Sequence, residues 1–252
     1  MSVDGSTVAA VVVTHDSENF LPELIASIQG QTRPLDEVIV IDDHSSDATV
    51  ALARKSGWRV EKATSPATDI TTRIAQNFTQ GLRAARDFNI VILSDHDDYW
   101  LPDRVEHQVR QLQAHPGAWM LASGARIMGS EQTLRDTFPV PGDWEEMSPR
   151  RQLRYALRHS LATGGASAVR PRDLLDPANK ATPIPAGWLH DRWWSLAATA
   201  RGALVIDHHP VIEYRVQPDQ QVGLAVGRQG SRIPKIRRSD ARRAREVARL
   251  LT

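Results

Sequence analysis

Three short apolar runs near the start of the chain end in carboxylates. Val8 to Val13 leads into Thr14-His15-Asp16. Glu37 to Ile41 leads into Asp42-Asp43-His44-Ser45. Ile90 to Leu93 leads into Ser94-Asp95-His96-Asp97-Asp98. Carboxylates crowded into one crevice repel each other unless a cation or a set of donor groups relieves them. The Asp95, Asp97 and Asp98 cluster offers hard oxygen ligands of the kind that Mg²⁺ or Mn²⁺ takes. Mg²⁺ usually keeps only one or two carboxylates and shares the phosphates of a substrate. Helix capping ahead of Pro102 accounts for Asp98 or Asp103 equally well, and accounts less well for Asp95 and Asp97.

The elements that would position these groups follow from periodicity. The three apolar runs read as buried strands. Phe20, Leu21, Leu24, Ile25 and Ile28 share one helical face, with Ser17 as its N-cap. A short helix is expected from Ser46 or Asp47 to Lys55, then a strand over Trp58–Lys62. Ile70, Ile74, Phe78, Leu82 and Ala85 mark a second stripe. Val105, Val109 and Leu112 mark a third, opened by Pro102. Residues 8–115 thus alternate strand and helix, which predicts an α/β fold with a mostly parallel sheet flanked by helices. In such a sheet, ligands bind beyond the carboxyl ends of the strands, where the acids lie.

The second half, about 116–225, is less regular. Trp119–Ala122, Ala125–Met128, Ala203–Ile206 and Val211–Arg215 read as strands. Ser148–His159 and Leu189–Ala200 read as helices, and 130–148 as a long loop. Thr163–Val169 is a glycine-rich strand or turn. His208-His209 reads as a solvated loop before Pro210 rather than a metal site.

Composition narrows the function. The chain has 252 residues, 41% apolar and 24% charged, with a net charge of +1. That suits one soluble domain with a short appendage and gives no global field to attract nucleic acid. Without cysteine there is no disulfide, thiolate nucleophile or Cys-ligated metal. No apolar run reaches the roughly 18–20 residues of a membrane span, and Met1–Thr7 has no signal-peptide pattern. The expected location is cytoplasmic. Residues 226–252 form a basic tail, with nine Lys/Arg against two acids from Arg228 to Arg249. It reads as a solvated helix or as a peripheral contact with anionic lipid at the inner membrane face.

No G-x-G-x-x-G follows the first strand, and there is no G-x-x-x-x-G-K-[ST]. A dinucleotide oxidoreductase and a P-loop NTPase are disfavoured. Val11-Val-Val-Thr-His-Asp16, Val38-Ile-Val-Ile-Asp-Asp-His-Ser-Ser-Asp47 and Ser94-Asp-His-Asp-Asp-Tyr-Trp-Leu-Pro102, in that order, resemble family 2 glycosyltransferases of the GT-A, Rossmann-like fold. The likeness covers roughly residues 8–223. Asn77-Phe78, the D-x-D-D-x-W-x-P string from Asp95 to Pro102 and Tyr214-Arg215 are most similar to the bacterial branch with many rhamnosyltransferases.

The resemblance implies roles. Thr14, with His15 and Asp16, and Asp42, helped by Asp43, would hold the nucleoside. Asn77 and Arg215 join the donor contacts, Arg215 against a phosphate. Asp95 and Asp97 would bind ribose and the metal–diphosphate, with Asp98 close by. Asp191, in Gly187-Trp-Leu-His-Asp-Arg-Trp-Trp194, would be the catalytic base, and His190 replaces the acid that often precedes it. Read without the resemblance, Asp191 is a first-turn aspartate facing a helix dipole. Gly164-Gly165 would let backbone approach donor or acceptor, or make a tight turn. His190 and Trp194 are acceptor-side candidates, though aromatic residues at a helix start are more often core. Gln217 stands where the family's His lies near the metal.

These assignments imply a Mn²⁺- or Mg²⁺-dependent transfer, with inversion, from a UDP- or dTDP-sugar to a hydroxyl of a glycan or lipid-linked saccharide. Three other classes compete. A haloacid-type phosphatase needs its D-x-D on the first strand. A nucleotidyltransferase usually has a basic Gly-rich loop near its start. A non-catalytic nucleotide-sugar binder would make Gln217 a sign of decay. His190-Asp191 as half of an H…HD…D phosphohydrolase conflicts with the strand-rich first half.

Overall fold

A computed structural model describes residues 5–133, 136 and 139–216. The first half follows the alternation of the sequence. Its elements are β1 (Val8–Thr14), α1 (Leu21–Gln29), β2 (Glu37–Asp42), α2 (Thr49–Lys55), β3 (Arg59–Lys62), α3 (Ile70–Ala84), β4 (Ile90–Asp95), β5 (Tyr99–Trp100) and α4 (Arg104–Ala114). The second half adds β6 (Met120–Ile127), α5 (Pro149–Ala156), β7 (Ser167–Val169), α6 (Pro171–Leu175), α7 (His190–Ala200) and β8 (Leu204–Tyr214).

One eight-stranded sheet runs β3-β2-β1-β4-β7-β6-β8-β5. β1 pairs in parallel with β2 and β4, and β2 with β3. The carboxyl ends of β1, β2 and β4 therefore lie together, and the three acidic segments share one edge of the sheet. Beyond β4 the pairing turns antiparallel at β7, and β6 then runs antiparallel to β7 and parallel to β8.

Alternation within the strands sorts the core into two layers, because successive side chains point to opposite faces. Ala9, Val11, Ile39, Ile41, Val91 and Leu93 pack with Phe78 and Leu82 of α3 and with α7. Val8, Ala10, Val12, Val38, Val40, Ile90 and Ile92 pack with α1 and α4. α3 lies close on the sheet because Gly81 has no Cβ to overlap the Val11 side chain.

Several expectations change. The weak strand pairs 119–122/125–128 and 203–206/211–215 are each one continuous strand, β6 and β8. Their register shifts around Gly124, where a Cβ would overlap the His208 carbonyl. Ser17 does not cap α1. The helix starts at Leu21, and the Ser17 carbonyl accepts the Phe20 and Leu21 amides. β5 and α6 carry no period that a pattern reading could detect, being two and five residues long. The basic tail 226–252 and Gln217 lie outside the described residues. Among the described residues, no helix is long and apolar enough to cross a membrane.

Candidate active site

The ends of β1 and β2 are stitched together by their own polar groups. Asp42 is buried. Its Oδ1 accepts the Thr14 hydroxyl (3.1 Å) and the Ser45 hydroxyl (2.6 Å), and its Oδ2 accepts the Ser45 amide (3.1 Å). Asp43 pairs with the Arg73 guanidinium of α3 at 2.8 Å. The His15 ring bonds the Asp43 carbonyl at 2.7 Å. Asp16 sits in the left-handed region at φ 43°, and its carboxylate accepts the Ser46 amide at 2.7 Å. The predicted nucleoside-side residues thus converge on one ledge. The sequence reading missed two of its partners, Ser45 and Arg73. Ser45 was visible as the third residue after Asp42, a spacing at which an Asp carboxylate can take a backbone N–H. Arg73 comes from a helix with no local cue.

The end of β4 carries the strongest electrostatic conflict. Burial, and then the charges of Asp97 and Asp191, raise Asp95 to about 7. Burial, then Asp95 and Asp97, hold Asp98 well above the usual carboxylate range. Both Asp98 carboxylate oxygens are buried without a hydrogen-bond partner. Such a debt of buried negative charge, on oxygen atoms alone, fits a hard divalent cation. Asp95, Asp97 and Asp98 do not each bring an oxygen within 4.8 Å of the other two in this structure. A cation that keeps one or two carboxylates and takes phosphate and water for the rest of its shell suits that spacing.

A buried cation already stands behind these acids. Arg104, fully buried at the start of α4, stacks over Trp100 with its Cζ 3.9 Å from the ring centroid. It donates to the Leu93 carbonyl at 2.7 Å, and its charge acts on Asp98 and Asp95. Its Nε meets the Gln108 amide oxygen at 3.3 Å. Gln108 in turn donates to the Ala166 carbonyl at 2.9 Å. α4 therefore braces both the acidic loop and the 164–166 turn. Arg104 falls at the start of α4, where the helix stripe gave no cue to its burial.

That turn brings the second half to the acids. Gly165 lies so near them that a Cβ would overlap Asp98 Oδ2 and stand 3.0 Å from Asp95 Oδ2. Gly164 donates its amide to Asp191 Oδ2 at 3.1 Å, and the Arg192 amide bonds Asp191 Oδ1 at 2.6 Å. Burial raises Asp191 to about 6 despite these two donors. A carboxylate near neutrality beside an acid cluster has the properties of a general base. The glycine pair thus makes a close approach to carboxylates of its own chain.

Other expected contacts are differently placed. Trp194 has no exposed surface and packs in the core, so it offers no face to an acceptor. His190 is buried against Phe78, with ring centroids 3.7 Å apart, beneath Gly164. Burial lowers it to about 3, so it is neutral and supports the turn. Asn77 is fully buried, with neither amide atom bonded. Arg215 donates Nε to the Asp97 carbonyl at 3.1 Å, and Nη2 contacts the Glu23 carboxylate. His209 is no free turn residue: it lies in β8 and bonds Asp103 at 2.9 Å.

Residues 9–176 match the model of glycosyl transferase family 2. An uncharacterized protein of Mycobacterium tuberculosis is 28% identical over 137 residues, which are 53% of this chain and 39% of that protein's length. Glucosyl-3-phosphoglycerate synthase from Mycobacterium tuberculosis, in complex with Mn²⁺, UDP and glucosyl-3-phosphoglycerate, superposes with a TM-score of 0.58 at 21% identity. The superposition covers 85% of this chain and 74% of the synthase. S. aureus TarS superposes with a TM-score of 0.62 at 18% identity, over 84% of this chain and 37% of TarS.

Proposed function

Since the chain belongs to glycosyl transferase family 2, we propose that it transfers a sugar from a nucleoside-diphosphate donor, UDP- or dTDP-linked, to a hydroxyl acceptor, with inversion. The observation that carries this is the joining of three groups at one sheet edge: the Thr14–Asp42 ledge, the Asp95–Asp98 acids, and Asp191 held by Gly164. A nucleoside on the first, a diphosphate at the second and an acceptor hydroxyl at the third form a line along the edge. The Mn²⁺ and UDP of the structurally similar synthase favour a pyrimidine donor.

Asp191 takes the proton of the acceptor hydroxyl. The acceptor oxygen then bonds to the anomeric carbon from the side opposite the diphosphate. The bond from that carbon to the diphosphate oxygen breaks with its electron pair, which gives inversion. Asp97 and Asp95 are the residues that would hold Mn²⁺ or Mg²⁺, which when bound neutralises the charge that develops on the departing diphosphate. Gly165 leaves room for the Asp98 and Asp95 carboxylates, which a Cβ there would overlap or crowd, and its backbone amide favours the charged form of Asp95.

The acceptor is proposed to be a glycan or lipid-linked saccharide, with the hexosyl or rhamnosyl donor used at the cytoplasmic face of a membrane. The basic tail and the family branch motivate this. The test is a donor screen with UDP-, dTDP- and GDP-sugars in EDTA, then in Mn²⁺ or Mg²⁺. Donor hydrolysis or transfer only with metal is expected. Full turnover in EDTA would defeat the metal assignment, and preference for a GDP-sugar would defeat the pyrimidine assignment.

A further inference from the structure

Among the described residues, the acids of the sheet edge are not where three metal-ligating side chains come together. The set that does so is Asp103, His107 and His209: one ligand atom from each stands within 4.8 Å of the other two. We propose that these three residues form a second divalent-metal site, of the zinc class, which clamps the start of α4 to β8.

The surroundings are built for it. The His107 and His209 rings stack with centroids 4.0 Å apart and an interplanar angle of 25°. One ring nitrogen from each of these imidazoles reaches the cluster, and imidazole nitrogen is a common metal ligand. His209 Nε2 meets Asp103 Oδ2 at 2.9 Å, and His107 Nε2 meets Asp207 Oδ2 at 2.7 Å. The other Asp207 oxygen accepts the His209 amide at 3.1 Å, which anchors that carboxylate at the cluster. A histidine with one nitrogen on a metal and the other on a carboxylate or similar partner is the usual second-shell arrangement. Two carboxylates, Asp103 and Asp207, stand at the cluster to offset the charge of a dication. The exposed Arg110 meets His107 Nδ1 at 3.1 Å and can swing into solvent.

Imidazole and carboxylate together select Zn²⁺, Co²⁺ or Ni²⁺ over Mg²⁺. Tetrahedral bonds of about 2.0–2.2 Å bring ligand atoms to roughly 3.3–3.6 Å of one another. Side-chain rotation would close the widest spacing by up to about 1.2–1.5 Å and open the His209–Asp103 pair slightly from 2.9 Å. The site is separate from the sheet edge. Arg215 contacts Asp97 just past the far end of β8, and His209 lies six residues earlier, roughly 20 Å along an extended strand. The clamp fixes α4, whose Arg104 and Gln108 brace the acidic loop, so its role is structural support. It does not depend on the sugar-transfer reading.

Untagged full-length protein, stripped with chelator, is titrated with Co²⁺ alone and then with Zn²⁺. Visible d–d bands of tetrahedral cobalt and a rise in Tm with Zn²⁺ are expected in the wild type and in D97N, which disables the sheet-edge acids. H209Q and D103N, both at half-exposed side chains, should lose the bands and the Tm rise while keeping the wild-type circular dichroism. Their Co²⁺ affinity should fall by more than the roughly 10–100-fold that loss of an orienting partner costs. Absent bands in the wild type, or bands that survive H209Q, would overturn the proposal and leave two ordinary His–carboxylate hydrogen bonds.

Discussion

Replacing Asp191 by Asn keeps the side chain's shape and removes its capacity to take a proton. A positioned general base contributes about 10²–10⁴-fold, so D191N should lose about 3–5.5 kcal/mol of barrier lowering. The structure adds a pH signature. Asp191 is raised to about 6 by burial, against amide bonds from Gly164 and Arg192. Near pH 5 only about a tenth of it is ionised, so wild-type kcat/KM should rise about tenfold between pH 5 and 7, with an apparent pKa near 6. D191N should lack that limb. Stability should move the opposite way. The folded pKa lies about two units above the ordinary 3.8, so the folded state disfavours the anion by at most about 3 kcal/mol. That penalty is absent below pH 3.8, develops as pH rises through about 6, and is full at pH 7. D191N should therefore melt several degrees higher than wild type at pH 7, with the gap closing near pH 4. The assay is initial transfer rate across pH, with melting curves in the same buffers. A rate within threefold of wild type, or an acid limb unchanged in D191N, would refute the assignment. A variant both inactive and less stable at pH 7 would refute the electrostatic argument.

Three further outcomes test the frame around the base. G165A places a methyl group against Asp98 Oδ2 and Asp95 Oδ2. Calorimetry with UDP and Mn²⁺ should show at least about tenfold weaker binding with unchanged circular dichroism, and unchanged affinity would separate the turn from the site. D42A leaves the Thr14 and Ser45 hydroxyls without their acceptor. Denaturant unfolding should register a loss of about 1–3 kcal/mol, and UDP binding should fall in parallel. R104M removes the buried cation behind Asp95 and Asp98 and its hydrogen bond to the Leu93 carbonyl. A cost of about 3–5 kcal/mol is expected at pH 7, and it should shrink in a D98N background. Equal cost in both backgrounds would show that Arg104 acts through packing alone.

The ledger of what was legible divides at β4. In residues 8–115, strand period, helix stripes and acidic strand ends were all local, so the parallel sheet and its acidic edge could be read from the chain. Right-handed crossovers leave few ways to assemble such a pattern, and β1, β2 and β4 had to end side by side. The second half depends on non-local pairing. β6 and β8 are continuous only because Gly124 lets the His208 carbonyl pass, and no periodicity signals that. Tertiary structure alone put Gly164 and Gly165 against Asp191, Asp98 and Asp95, and sent His190 and Trp194 into the core. It also turned Arg104 inward. Asp103, His107, Asp207 and His209 come from segments about 100 residues apart. The residue types were in the sequence, but their chemistry depends on distance and burial, and both were set when α4 packed on β8.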